Sequence, residues 1–215
     1  MKNYIIDFDS TFIKVESLDE LLEVSEPENE DKIDEVKKIT NEGMEGKISF
    51  SESLSKRINL LEATKNHINR TVQKLKEKIS DSFVKNIDFI KKNKDNIYIV
   101  SSGFHEIIDP IVIDCGILKK NIYANSFIFD KSERIIGYDK INPLSTSKGK
   151  VKILKKLGLK GSSHVIGDGF TDYEIKKEGY ADYFYLFTEN IKRKSLIKNA
   201  DFLLKSFDEF IDIVK

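Results

Sequence analysis

The sequence predicts an α/β protein: a Rossmann-like, three-layer core on a parallel sheet, with a small all-helical cap inserted after the first strand and a β-hairpin insertion. Three observations predict it. From Asn96 onward, short apolar strand-like runs alternate with helical segments, the pattern of a parallel sheet wrapped by helices. Between about Ser17 and Lys94 the periodicity is helical throughout. Ahead of that helical stretch stands one more strand-like run, YIIDFD at residues 4–9, which the simplest architecture joins to the later sheet.

The helical stretch carries its own punctuation. Ser17 with Glu20, and Ser49 with Glu52, fit capping boxes. Leu54, Ile58 and Leu61 fall on one helical face, as do Ile68, Val72, Leu75 and Ile79, and such stripes are most simply core. The later strands are NIYIV, HVIGD, YFYLF and DFLLK, with helices beginning near His105, Ser147, Thr171 and Ser195 and a last one through FDEFIDIV. In YANSFIFDKSERIIGYD, two strand-like runs flank the polar DKSE and predict the hairpin, at the border of the site. The expected division is a core of residues 1–14 and 80–215 and a cap of residues 15–79.

Composition narrows the function. The chain has 215 residues, 40% hydrophobic and 33% charged, with 36 basic residues against 36 acidic ones. Zero formal charge gives no bulk attraction to nucleic acid or an anionic membrane, so any anion must be handled locally. The apolar start Tyr4-Ile5-Ile6 is ended at once by Asp7 and Asp9, which predicts neither a signal peptide nor a membrane span and a cytoplasmic protein. Cys115, the one cysteine, sits in IVIDCGIL and reads as a small buried hydrophobe. His67, His105 and His164 have no spacing that would hold one metal.

Open α/β sheets bind ligands at the carboxyl ends of their strands, so the loops after YIIDFD, NIYIV and HVIGD should converge. They carry Asp7-Phe8-Asp9-Ser10-Thr11, Ser101-Ser102-Gly103 and Gly167-Asp168-Gly169-Phe170-Thr171-Asp172. An isolated DxD or SSG is ordinary turn chemistry. Bringing Asp7, Asp9, Asp168 and Asp172 together without compensation costs many kcal/mol, so a cation is expected. Carboxylates without cysteine or spaced histidines point to Mg²⁺ sharing the site with a phosphate. Ser101 and Lys148, the latter in TSKGK at a helix start, are candidates for the phosphate oxygens, together with backbone N–H groups of the loops. The set reads as a phosphoryl-transfer site in which one aspartate attacks phosphorus and another moves protons.

These residues resemble the haloacid dehalogenase superfamily of phosphatases. DFDST is similar to its first motif, Ser101 after a hydrophobic strand to its second, Lys148 to its third, and GDGFTD to its fourth, in the same order. The resemblance implies Asp7 as nucleophile, Asp9 as general acid/base and Ser101 and Lys148 as phosphate clamps. It also implies Asp168 as a Mg²⁺ ligand beside Asp7 and the Asp9 carbonyl, and Asp172 as an outer or water-mediated ligand.

Within the superfamily the chain is similar to the phosphoserine phosphatase family over nearly its whole length. DFDSTFIKVESLDEL resembles that family's opening segment, and MEGKISFSESLSKRINLL resembles the stretch in which Met44 and Phe50 line the pocket and Arg57 binds substrate. VSSGF, with Ser102 and Gly103, resembles VSGGF. A physical argument runs alongside. O-phospho-L-serine carries an ammonium and a carboxylate beside its phosphate, and Glu16 and Arg57 would supply the opposite pair. Without the resemblance, Glu16 would be read as an exposed acid just before a helix and Arg57 as part of a solvated helix face. Two positions depart from the family pattern: Thr171 stands where asparagine is usual and Ser102 where glycine is usual. The expected activity is Mg²⁺-dependent hydrolysis of O-phospho-L-serine to serine and phosphate. Alternatives are a phosphatase or phosphotransferase on another small phosphomonoester, and a silent binding domain of the same fold. The partner is a small molecule, and the sequence leaves monomer and homodimer open.

Overall fold

A computed structural model describes residues 1–45 and 47–215. Strand β1 (Lys2–Ile6) is followed by a tight turn through Phe8–Phe12, in which Ser10 takes a left-handed conformation with φ 52°. Helices α1 (Ser17–Ser25), α2 (Glu30–Met44), α3 (Phe50–Leu60) and α4 (Lys65–Lys76) come next. The chain leaves and re-enters the core side by side, where Ile13 bridges Ile79 and the Lys14 N–H donates to the Lys78 carbonyl at 2.8 Å. Short helices α5 (Asp81–Lys85) and α6 (Ile87–Lys92) lead to β2 (Ile97–Phe104) and α7 (His105–Val112).

After α7 the chain forms β3 (Ile122–Asn125), then β4 (Phe127–Phe129) and β5 (Ile135–Tyr138), which pair antiparallel as a separate hairpin. The rest alternates: α8 (Gly149–Leu157), β6 (Ser162–Gly167), α9 (Phe170–Lys177), β7 (Tyr183–Phe187), β8 (Phe202–Leu204) and α10 (Phe207–Val214). All pairings of the main sheet are parallel, in the order β3-β2-β1-β6-β7-β8. The sequence therefore predicts the α/β class and the hairpin correctly.

Two apolar clusters lie on opposite faces of the sheet, because side chains alternate along each strand. Tyr4 and Ile6 join one cluster with Ile107 and Ile111 of α7 and Phe207 and Phe210 of α10. Ile5 joins the other with Val151 and Leu154 of α8 and Ile175 of α9. Each fully buried Ile or Phe contributes about 1.5–3 kcal/mol of transfer free energy, so these two layers stabilise the sheet from both faces. Cys115 is buried, as its apolar run predicts.

Three local expectations change. Ser17 is the first residue of α1, after Glu16 at the N-cap, and makes no capping box. Its N–H is instead taken by the Asp9 carboxylate, Oδ1 at 2.7 Å, so an aspartate of the first loop does the capping. The run YANSFIF divides, with its first half completing the edge of the main sheet as β3 and only its second half entering the hairpin. The helix expected near Ser195 is a 3₁₀ segment, Lys194–Asn199. Ser49 does cap α3, accepting from the Glu52 N–H at 3.2 Å. No helix among the described residues is long and apolar enough to cross a membrane.

Candidate active site

The carboxyl ends of β1, β2 and β6 lie side by side, and the end of α2 and the start of α3 line the cleft beside them. Asp7 follows β1 directly; its Oδ1 accepts from the Phe8 N–H at 2.8 Å and from the ammonium of Lys150 at 2.7 Å. Asp168 follows β6, and Asp172 enters on the first turn of α9, where its Oδ2 accepts from the Gly169 N–H at 3.2 Å. Asp7, Asp168 and Asp172, all buried, bring one carboxylate oxygen each within 4.8 Å of one another. Gly167 makes this approach possible: a Cβ there would lie 2.2 Å from Asp172 Cγ.

Lys148 is not the lysine of this cluster. It precedes α8 with a left-handed backbone, φ 57°, and its exposed ammonium pairs with Glu178 at 2.7 Å, at the mouth of the cleft. Lys150, two residues later, is on the first turn of α8 facing the sheet and bridges Asp7 and Asp172, the latter at 2.8 Å. Gly149 permits the turn, since a Cβ would meet the Pro143 carbonyl at 2.5 Å. The lysine expected at the acidic cluster as Lys148 is, in the structure, Lys150.

Asp9 faces away from the acidic cluster and toward the second loop. One of its oxygens caps Ser17, and the other lies 3.1 Å from where a Cβ on Gly103 would stand. Ser101 is buried beside it, its Oγ accepting from the Gly103 N–H at 3.0 Å. The Asp9 carboxylate is thus not among the clustered oxygens. Ser102 is half-buried and lines the cleft with Phe50, Phe170, Thr171 and Lys148, around a volume of about 260 Å³. Its carbonyl accepts from Asn125 Nδ2 at 2.8 Å. Met44 brings its sulfur to 3.8 Å from the Cβ position of Gly169, so the end of α2 rests against the β6–α9 loop.

Glu16 and Arg57 both turn inward. Glu16 Oε1 accepts from the Ser10 hydroxyl at 2.7 Å. Arg57 is 6% exposed, and its Nη1 donates to Thr40 Oγ1 at 3.4 Å, while its Nε has no hydrogen-bond partner among the described residues. Arg193 was not visible as a site residue in the basic run IKRK. Its Nε donates to Asp168 Oδ2 at 2.7 Å and its Nη2 lies 3.9 Å from Glu16. Its signal was rarity: one of four arginines in a lysine-rich chain.

The electrostatics describe a site short of positive charge. Burial, with Asp7 next, lifts the Asp172 carboxyl to about 8, against the opposing pull of Lys150. Asp168 is raised by burial, which Arg193 partly offsets. Burial takes Glu16 well above the ordinary range, with Asp9 and Asp168 adding to it. Asp9 is raised to about 7, again by burial first, with the Ser17 contacts opposing. Lys150 is raised because Asp172 and Asp7 outweigh the burial of its charge. Buried carboxylates in this number beside Lys150 and Arg193 fit a hard divalent cation with oxygen ligands.

The sequence profile of the haloacid dehalogenase-like hydrolases matches residues 5–175. The chain is 30% identical over 209 residues to the chloroplastic phosphoserine phosphatase of Arabidopsis thaliana, covering 96% of this chain and 69% of that protein. It is 32% identical over 183 residues to the phosphoserine phosphatase of Methanocaldococcus jannaschii, covering 82% of each. Among solved structures, a phosphoserine phosphohydrolase-like protein from Francisella tularensis superposes with a TM-score of 0.91 at 34% identity over the whole of both chains. A substrate-bound phosphoserine phosphatase complex superposes with a TM-score of 0.81 at 25% identity, covering 100% of this chain and 99% of that one.

Proposed function

Because the chain belongs to the haloacid dehalogenase-like hydrolases and is a phosphoserine phosphatase-like phosphoric monoester hydrolase, we propose that it converts O-phospho-L-serine to L-serine and phosphate through an aspartyl-phosphate. One observation carries this reading: the Asp7 carboxylate, held by the buried Lys150, stands in one acidic cluster with Asp168 and Asp172. Its near relatives bear that activity in their names.

Asp7, Asp168 and Asp172 would hold Mg²⁺, with the Asp9 carbonyl beside them. When bound, the ion supplies charge stabilisation for the phosphoryl oxygens. Asp7 attacks phosphorus in line, forming the Asp7–phosphorus bond as the bond to the serine oxygen breaks. Lys150 takes its place on the phosphoryl oxygens, together with Ser101 and the backbone N–H groups of the SSG loop. Asp9, raised to about 7, is suited to be protonated at the start and to donate to the leaving serine oxygen. It then removes a proton from the water that attacks the aspartyl-phosphate, releasing phosphate and restoring Asp7.

Glu16 faces the substrate ammonium and Arg57 its carboxylate, whose planar fork a guanidinium matches. The helices of residues 15–79 act as a cap, with Met44 and Phe50 closing the cleft against bulk water. Phosphate release tests the reading, measured on L-phosphoserine, phosphothreonine, phosphoethanolamine and an aryl phosphate, with Mg²⁺ and with a chelator. Metal-dependent preference for L-phosphoserine is expected. Activity on the aryl phosphate without that preference would keep the mechanism and discard the substrate.

A further inference from the structure

Arg57 is a long, flexible side chain, and a buried guanidinium directs its fork only if something fixes it. The described contacts name what does. Thr40, on α2 and 2% exposed, donates its single hydroxyl proton to Asp19 Oδ1 at 2.9 Å. A hydroxyl that has given its proton presents its lone pairs, and Arg57 Nη1 donates to one of them at 3.4 Å. Asp19 lies on α1, Thr40 on α2 and Arg57 on α3, so the chain of contacts ties three successive helices at one buried point.

The charge balance agrees. Burial raises the Asp19 carboxyl, and Arg57 is the leading group opposing that rise, ahead of the Thr40 hydroxyl. Arg57 also lowers Asp9, so its guanidinium acts on the catalytic loop as well as on Asp19. With Nη1 occupied, the buried Nε is left without a partner. A buried donor in that state carries a desolvation cost that an incoming acceptor would relieve.

We propose that Asp19 and Thr40 are positioning residues for substrate selection: the Asp19–Thr40 relay holds Arg57 so that its unpartnered edge meets the substrate carboxylate. The inference rests on the reading of Arg57 as the carboxylate-binding residue and extends it to two residues that touch no substrate. The relay would then set the KM for carboxylate-bearing phosphomonoesters and leave the phosphoryl chemistry alone. Thr40 serves as the joint because a hydroxyl can both give and accept, which neither valine nor alanine can do.

The test compares KM and kcat on L-phosphoserine and on an aryl phosphate for the wild type, Thr40→Val, Thr40→Ser and Asp19→Ala, with folding verified by circular dichroism and melting. Valine keeps the shape of threonine and removes the relay. Thr40→Val and Asp19→Ala are expected to raise KM for L-phosphoserine by about ten-fold, the effect of losing a hydrogen bond to a charged group. Kinetics on the aryl phosphate should stay at wild-type values, and Thr40→Ser should restore KM. A purely structural role would depress both substrates together. Unchanged KM in Thr40→Val, or equal losses on both substrates, overturns the relay. If Thr40→Val does not fold, the same comparison in Asp19→Ala decides. Wild-type activity on the aryl phosphate but none on L-phosphoserine shows instead that the substrate reading has failed, and the relay falls with it.

Discussion

Lys148 and Lys150 differ by two positions and by nearly everything physical. The first is exposed and pairs with Glu178; the second is 3% exposed and touches both Asp7 and Asp172. Replacing Lys150 by alanine is expected to lower kcat by about 10²-fold or more, the cost of losing one preorganised donor to developing charge. It should also lower the melting temperature, because two buried carboxylates lose their shared cation. Lys148→Ala should keep kcat within about two-fold, as an exposed ion pair contributes little. Steady-state kinetics with melting curves on both variants measure this, and the reverse ranking would return the clamp to Lys148. The aspartates were legible in the sequence because strand-end carboxylates in this number have few other reasons to exist. The lysine was not, since in TSKGK the inward face depends on the residue at which α8 begins, and helix starts are uncertain by one or two positions. Arg193 was illegible for a different reason: its partners are 25 residues away at Asp168 and farther at Glu16, and no spacing within IKRK encodes that.

The β6–α9 turn shows how an element, rather than a residue, builds the site. Asp172 folds back over Gly167 and accepts from the Gly169 N–H, so the carboxylate caps its own helix while joining the acidic cluster. A methyl group on Gly167 would occupy the space of Asp172 Cγ. Gly167→Ala is therefore expected to cost about 1–3 kcal/mol by overpacking. In a chain of this size that is a fall in melting temperature of several degrees. It should also weaken activity in the folded variant, because Asp172 is the side chain that must move; full activity at reduced stability would show that Asp172 is dispensable. At this scale the sequence was legible wherever one face of an element is buried, as with the strands of the parallel sheet. It was less so where two elements share a run. YANSFIF has uniform texture, yet Ile122–Asn125 pair with β2 and Phe127–Phe129 with β5, a division made by the partners and not by the run itself. Ser17 misled for a related reason, because its capping partner is Asp9, outside the helix altogether.

Across the whole molecule, the order β3-β2-β1-β6-β7-β8 places β1 between the two strands whose loops it needs, and the end of α2 and the start of α3 line the cleft beside them. This much followed from the sequence, since a lone strand ahead of a long helical stretch has to rejoin a later sheet to be buried. What the folded chain adds is an acidic centre whose cost is spread over the entire structure. Asp168 and Asp172 are both raised by burial, and Lys150 and Arg193 offset this in part. A divalent cation that binds the folded chain and not the unfolded one should therefore stabilise the molecule as a whole. At a hundred times its dissociation constant the gain is about 2.7 kcal/mol. Each kcal/mol shifts the melting temperature of a chain of this size by about 2–4 °C, so Mg²⁺ should raise it by about 5–10 °C over chelator-treated protein. Asp172→Asn separates this linkage from general salt effects. It removes one carboxylate from the cluster while Lys150 keeps Asp7, so in chelator the variant should melt at or above the wild type. Its gain from Mg²⁺ should shrink or vanish. Thermal melting of both proteins with Mg²⁺ and with chelator decides: an equal Mg²⁺ gain in the variant, or none in the wild type, would remove Asp172 or the whole acidic cluster from metal binding.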